Sequence, residues 1–302
     1  VVVALGGNTL LGERGPWTMA EQDAVIRETA RRIVDVVEAG YEVVLTHGNG
    51  PQVGNRMLQQ AAAPDTPQLP LDVLVAETQA QLGYLLQRAL DNELAGATDF
   101  VSLVTQVVVD ADDPAFDDPT KPVGPFYTEA EAAELPFETR KVRDGEKPCR
   151  RVVPSPEPRE IVELREIRTL VDGDALVICA GGGGVPVVRN DGLVGVEAVV
   201  DKDLTSQLLA TALGADALVV LTDVDHAYLD YGGPDERPVG ATDPDTLREY
   251  LEAGEFGTGS MAPKVDACCR FVEAGGDRAV ITAPEHLADA LAGEAGTRVG
   301  EP

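Results

Sequence analysis

Two lysines stand where helices are expected to begin: Lys202 in Asp201-Lys202-Asp203, and Lys264 in Gly259-Ser260-Met261-Ala262-Pro263-Lys264. Helix starts ordinarily favour acids, because the N-terminal end of the helix dipole is positive. The chain carries only five lysines, at 121, 141, 147, 202 and 264, among its 24 basic residues. Lysines kept at such places are therefore candidates for chemistry, the plain alternative being a surface lysine paired with its neighbouring aspartate. Three glycine turns each follow an apolar run. Gly6-Gly7-Asn8 follows Val1-Val2-Val3-Ala4-Leu5, His47-Gly48-Asn49-Gly50-Pro51-Gln52-Val53-Gly54 follows Val43-Val44-Leu45, and Gly181-Gly182-Gly183-Gly184 follows Ala175-Leu176-Val177-Ile178. Glycine turns at strand ends present backbone N–H groups to an anion, so three of them point to an enzyme that handles phosphate.

The elements that must position these residues alternate. Strand-like runs at 1–5, 41–46, 100–109, 175–179, 216–221 and 278–282 are separated by helical patterns at 18–39, 52–61, 72–94, 160–170, 202–213, 244–252 and 262–274, with short strands near 185–188 and 194–197. This is the rhythm of a mainly parallel sheet covered by helices, an α/β fold. Between about 112 and 153 the rhythm breaks into proline- and glycine-rich pieces such as Asp118-Pro119-Thr120-Lys121-Pro122 and Gly124-Pro125, which reads as an inserted subdomain.

With 302 residues and 44% hydrophobic content, the chain can bury a substantial core. Four cysteines without C-x-x-C spacing, and no signal peptide or long apolar run, suggest a reduced, soluble, cytoplasmic protein. The formal charge of −28 is scattered rather than gathered in a tail, which fits a surface adapted to high salt and makes nucleic acid and anionic membranes poor partners. G-x-x-x-x-G-K-[ST] and the protein-kinase signatures are absent. Gly48-x-Gly50-x-x-x-Gly54 misses the dinucleotide fingerprint by one residue, and His47, His226 and His286 lie too far apart in sequence for a zinc pattern.

In order along nearly the whole chain, a set of motifs resembles carbamate kinase, a branch of the amino-acid kinase family. They are Gly6-Gly7-Asn8, His47 to Gly54, Thr105 to Asp110, Thr120-Lys121-Pro122-Val123-Gly124-Pro125-Phe126, Arg151 to Pro156, Gly181 to Val187, Gly195 to Asp203, Thr222-Asp223-Val224-Asp225 and Gly259 to Lys264. The resemblance implies an open three-layer αβα sandwich with a small protruding subdomain, and a homodimer that moves phosphoryl reversibly between ATP and carbamate with Mg2+. It divides the chain into a carbamate/carbamoyl-phosphate lobe at 1–173, with a lid near 112–153, and a nucleotide-binding lobe at 174–302. By the same resemblance Gly6, Gly7, Asn8, Gly48, Asn49 and Gly50 bind the carbamoyl or transferring phosphate end, and His47 shapes its loop through a backbone carbonyl. Lys202 and Lys264 flank the transferring group with Asp203 orienting them, and Lys121 reaches in from the lid. Gly181, Gly182, Thr222, Asp223, Val224, Asp225, Tyr228, Gly259, Ser260 and Met261 surround the nucleotide, and the magnesium ligands stay unassigned. The rival expectations are another amino-acid kinase, or a carbamoyl-phosphate or nucleotide sensor without turnover.

The charge leads to a first prediction. Molar KCl shortens the screening length to about 3 Å, so cooperative folding and activity are expected to require it. A denaturation transition unchanged after salt removal would refute this.

Overall fold

The alternation read from the sequence is present in the computed structural model, which describes residues 1–11, 18–96, 98–256 and 260–300. In chain order the elements begin with β1 (Val2–Leu5), α1 (Met19–Glu38), β2 (Val44–His47), α2 (Gly50–Ala62), α3 (Leu71–Leu94), β3 (Phe100–Ser102) and β4 (Gln106–Val109). Next come β5 (Lys121–Tyr127), α4 (Glu129–Ala133), β6 (Thr139–Lys141), β7 (Cys149–Val153), β8 (Pro158–Ile161), α5 (Leu164–Val171), β9 (Leu176–Ile178), β10 (Val185–Arg189) and β11 (Leu193–Gly195). The remainder comprises α6 (Lys202–Leu213), β12 (Ala217–Leu221), β13 (Tyr228–Leu229), β14 (Arg237–Pro238), β15 (Ala241–Thr242), α7 (Pro244–Glu252), α8 (Met261–Glu273), β16 (Arg278–Thr282), α9 (Leu287–Ala292) and β17 (Thr297–Gly300).

The main sheet has the order β15-β17-β16-β12-β1-β2-β9-β3, parallel except where β17 runs against β16. Side chains alternate across it as a strand period of two requires. On β1, Val2 and Ala4 join a core with Leu209, Val265, Cys268 and Phe271, beneath α6 and α8. Val3 and Leu5 face the other way, against Ile26, Ile33, Leu82, Leu86 and Leu291 of α1, α3 and α9. Helices on both faces thus make three layers. A smaller sheet, β11-β10-β4-β8, flanks this sandwich, and β5-β7-β6 forms a separate sheet inside the inserted segment. β9 lies between β2 and β3, so the main sheet runs unbroken across position 173. All four cysteines are buried and unpaired.

Three expectations need correction. The single strand at 100–109 is two strands in different sheets. Gln79 of α3 captures Thr105 on both sides, its Nε2 donating to the Thr105 carbonyl at 3.1 Å and its Oε1 accepting from the Thr105 N–H at 2.8 Å, which turns the chain out of the main sheet. The helix expected from 160 begins only at Leu164. Pro158–Ile161 pairs with β4, and the Glu163 carboxylate accepts from Gln106 N at 2.7 Å and Nε2 at 2.9 Å, fixing the switch from strand to helix. Lastly, 278–282 does not close the chain, because α9 and β17 follow and seal the sheet beside β16.

The turn after β9 needs glycine for two reasons. Gly182, Gly183 and Gly184 have φ of +67°, +91° and +91°, and a Cβ on Gly183 would stand 2.3 Å from the Val200 carbonyl oxygen. Gly183→Ala would combine left-handed strain with a backbone clash, and is expected to cost about 2–5 kcal/mol. Denaturant unfolding at fixed KCl measures this, and an unchanged midpoint would mean that the loop before α6 yields freely.

Candidate active site

Four neighbouring parallel strands, β12, β1, β2 and β9, end on the same edge of the main sheet. Their C-terminal ends carry Thr222-Asp223, Gly6-Gly7, Gly48-Asn49-Gly50 and the Gly181 turn. Parallel strands place such ends side by side, which is why ligands of open α/β sheets gather there. α2, α6 and α8 also begin at this edge, with Asn49, Asp201 and Ser260 as their capping residues. A cleft of about 970 Å³ opens between these elements and the inserted subdomain.

The turns approach one another closely. A Cβ on Gly48 would lie 2.8 Å from Gly7 N and 3.5 Å from Lys202 Cδ, so glycine is required for two turns and the lysine stem to share the space. A Cβ on Gly182 would stand 2.2 Å from Asn49 Oδ1. Asn49 is itself buried, and its Nδ2 donates to Thr78 Oγ1 at 2.9 Å.

One carboxylate holds both candidate lysines. Lys202 Nζ donates to Asp203 Oδ1 at 2.5 Å and Lys264 Nζ donates to Asp203 Oδ2 at 2.9 Å. All three side chains are largely buried, with 12%, 8% and 4% exposure for Lys202, Lys264 and Asp203. Burial raises the Asp203 carboxyl, yet the two ammonium groups outweigh it and leave its pKa below the ordinary value. The Lys202 ammonium is moved down, first by burial, against the pull of Asp203. Within this triad two cations share one anion, while the wall around it adds Lys121 and Arg270 together with Glu157, Asp201, Asp223 and Asp266.

Lys121, at the start of β5, reaches the same cleft, and its Nζ donates to Asp201 Oδ2 at 3.1 Å. The other Asp201 oxygen accepts from Asp203 N at 2.9 Å and caps α6. The cleft therefore brings together Gly6, Gly7, Gly48, Asn49, Gly50, Lys121, Gly182, Lys202, Asp203, Thr222, Asp223, Ser260 and Lys264.

Other anticipated residues lie apart from its lining. His47 is buried behind the turn, with Nδ1 3.1 Å from the Gly48 carbonyl, and Gly181 is packed against its ring. Met261 packs on the core. The Tyr228 hydroxyl donates to Asp225 Oδ1 at 2.6 Å, which with some burial pushes the phenol up to about 12. Val224, Asp225 and Tyr228 are not among the cleft-lining residues. Gly259 falls outside the described residues, as does the side chain of Asn8. Sequence reasoning missed Asp201, Glu157, Asp266 and Arg270, all on the cleft wall. The Arg270 Nη2 and Nε atoms each pair at 2.9 Å, with Glu157 and Asp266. The capping position of Asp201 was the only local signal.

Among the described residues no group of three or more His, Cys, Asp or Glu side chains is arranged to hold a metal ion. The donor set fits a divalent cation carried in on nucleotide phosphates, which needs only one or two protein carboxylates. It does not form an all-protein cage.

The fold and this site define the class: the amino acid kinase family pattern matches residues 1–283, and the chain belongs to that family. Within it, the chain is 54% identical over 301 residues to the carbamate kinase of Halobacterium salinarum, covering 99% of this chain and 97% of that one. It is 46% identical to carbamate kinase 2 of Enterococcus faecalis, covering 99% and 98%. The solved carbamate kinase from Giardia lamblia bound to AMP-PNP superposes with a TM-score of 0.93 at 43% identity, covering 100% of this chain and 98% of that one. The resemblance read from the motifs therefore holds over the full length, as does the expected αβα fold.

His47 yields a prediction about acid. Burial, with Lys202 adding to it against the Gly48 carbonyl, holds its pKa down from 6.5 to about 4. An unfolded chain takes up this proton near pH 6.5, while the folded chain resists until about 4. Stability is thus whole above 6.5 and lost as pH falls through that window, by about 2 kcal/mol at pH 5. Unfolding midpoints at pH 7.5 and 5 should differ in the wild type and much less in His47→Gln, and equal slopes would remove His47 as the cause.

Proposed function

We infer that the protein is an ATP:carbamate phosphotransferase, passing the phosphoryl group reversibly between ATP and carbamate. What carries the inference is the pair Lys202 and Lys264 gripping Asp203, set among glycine turns at the ends of adjacent parallel strands. Carbamate already presents an anionic oxygen, so the reaction needs neither an activated serine nor a strong base. It needs alignment and positive charge around the group in flight.

In this reading the backbone N–H groups of Gly6, Gly7, Gly48 and Gly50, with the amides of Asn8 and Asn49, seat the carbamoyl phosphate end. Lys202 and Lys264 neutralise charge as it spreads over the transferring oxygens, and Asp203 fixes their positions. Neutral His47 is a support for its turn rather than a base. Lys121 brings a further charge from the inserted subdomain, which excludes water from the labile carbamoyl group. The phosphates of ATP or ADP lie against Gly181, Gly182, Thr222 and Asp223, and the adenosine extends past the cleft lining toward Val224, Asp225 and Tyr228, with Ser260 and Met261 beside it and, by the motif resemblance, Gly259. When bound, Mg2+ would supply charge neutralisation on the phosphates, and Asp223 on that wall is the carboxylate that would help hold it. Residues 1–173 thus serve the carbamoyl end and 174–302 the nucleotide.

A −28 charge together with a salt-loving relative supports a halophilic cytoplasmic enzyme. Homodimer assembly, and operation toward ATP during arginine breakdown, follow the motif resemblance. No helix among the described residues is long and apolar enough to cross a membrane.

ATP formation from carbamoyl phosphate, ADP and Mg2+ in high KCl tests the activity. Lys264→Ala and Lys202→Ala should each lower kcat at least about 100-fold, in the range of a lost charge-stabilising donor, with smaller effects on KM. Saturable ADP binding without ATP formation by the wild type would favour the sensor, and transfer to a carboxylate instead of carbamate would favour a different kinase.

A further inference from the structure

The inserted subdomain is tied to the segment leading into α6 at two points. Its Arg151 Nη2 donates to Glu197 Oε2 at 2.6 Å, and Glu197 Oε1 also accepts from Leu71 N, at the start of α3, at 2.8 Å. Four residues further on, Asp201 accepts from Lys121 Nζ at 3.1 Å. The register of β5 and β7 pairs Lys121 with Val153 and Val123 with Arg151, so both cations sit at the root of the subdomain.

The two ties differ in kind. Glu197 is fixed from its other oxygen to α3, which ties that end to the body of the fold. Asp201 is fixed through its other oxygen to α6, the helix whose first residue is Lys202. Lys121 is the more open member of its pair, with 41% side-chain exposure against 15% for Asp201. From this geometry we propose that Asp201 is a positioning residue: it presets the Lys121 ammonium over the phosphate turns, so that the lid cation is in place before the anionic substrate arrives. One side chain thereby couples the lid to the helix that carries Lys202.

This rests on the phosphotransferase reading, and Asp201→Asn separates the two. Asparagine caps a helix about as well as aspartate, so the change keeps α6 and removes the charge that holds Lys121, together with its weaker pull on Lys202, which the Lys121→Ala background isolates. A half-exposed ion pair shifts an equilibrium by up to about fivefold. In the wild-type background, Asp201→Asn should lower kcat/KM for carbamoyl phosphate about fivefold, mainly through KM, and leave KM for ADP within about twofold. In the Lys121→Ala background the same change should alter kcat/KM less than about twofold, because Asp201 would have nothing left to position. Asp201→Glu should recover part of the loss. Equal losses in both backgrounds would overturn the proposal by showing that Asp201 acts directly, and no loss in either would overturn it as well. Hydrogen exchange of the β5 amides in ligand-free protein reads the latch without any turnover. Faster exchange in Asp201→Asn supports it even if the wild type proves inactive on carbamoyl phosphate, and unchanged exchange sinks it.

Discussion

The site depends on one buried carboxylate shared by two ammonium groups. Taking three charges out of water is costly, and a carboxylate with one partner would recover only part of that cost. Asp203 instead uses each oxygen for a different lysine, and its backbone N–H is taken by Asp201. Within that triad two positive charges share one negative, and burial leaves their pull on an anion little screened.

The sheet makes this possible by topology rather than by any single strong contact. β12, β1, β2 and β9 run parallel and adjacent, so residues more than 200 positions apart in sequence, Gly6 and Thr222, open onto one edge. The helices that return from that edge start there too, and each brings its positive end. Asp201 caps α6 through its carboxylate, and Ser260 occupies the N-cap position of α8 without a side-chain bond. Placing lysines at helix starts is locally unfavourable, and Asp203 compensates at both.

Much of this was legible in the sequence, because the signals are local. Gly6-Gly7, Gly48-Asn49-Gly50 and the Gly181 turn announce themselves by following apolar runs, and Lys202 and Lys264 stand out against a lysine-poor background. What was illegible depends on distant partners. Thr105 breaks the 100–109 run only because Gln79 of another element captures its backbone. Asp201 gains its second role from Lys121, 80 positions away, and Arg270 gains its place on the cleft wall through Glu157, 113 positions away. Val224, Asp225 and Tyr228 follow Thr222 and Asp223 in sequence but are not part of the cleft lining.

The buried thiols have a consequence of their own. Only a thiolate reacts readily, and burial pushes Cys179 up to about 12, Cys269 up to about 11 and Cys268 well above its ordinary value. Cys268 and Cys269 lie about one turn along α8 from Lys264, and Cys179 directly follows β9 ahead of the Gly181 turn. The native molecule is thus chemically quiet toward thiol reagents at its very centre. Whenever the sheet parts from α8, that silence ends, so these sulfur atoms form a native clock whose rate of modification counts how often the interior is exposed.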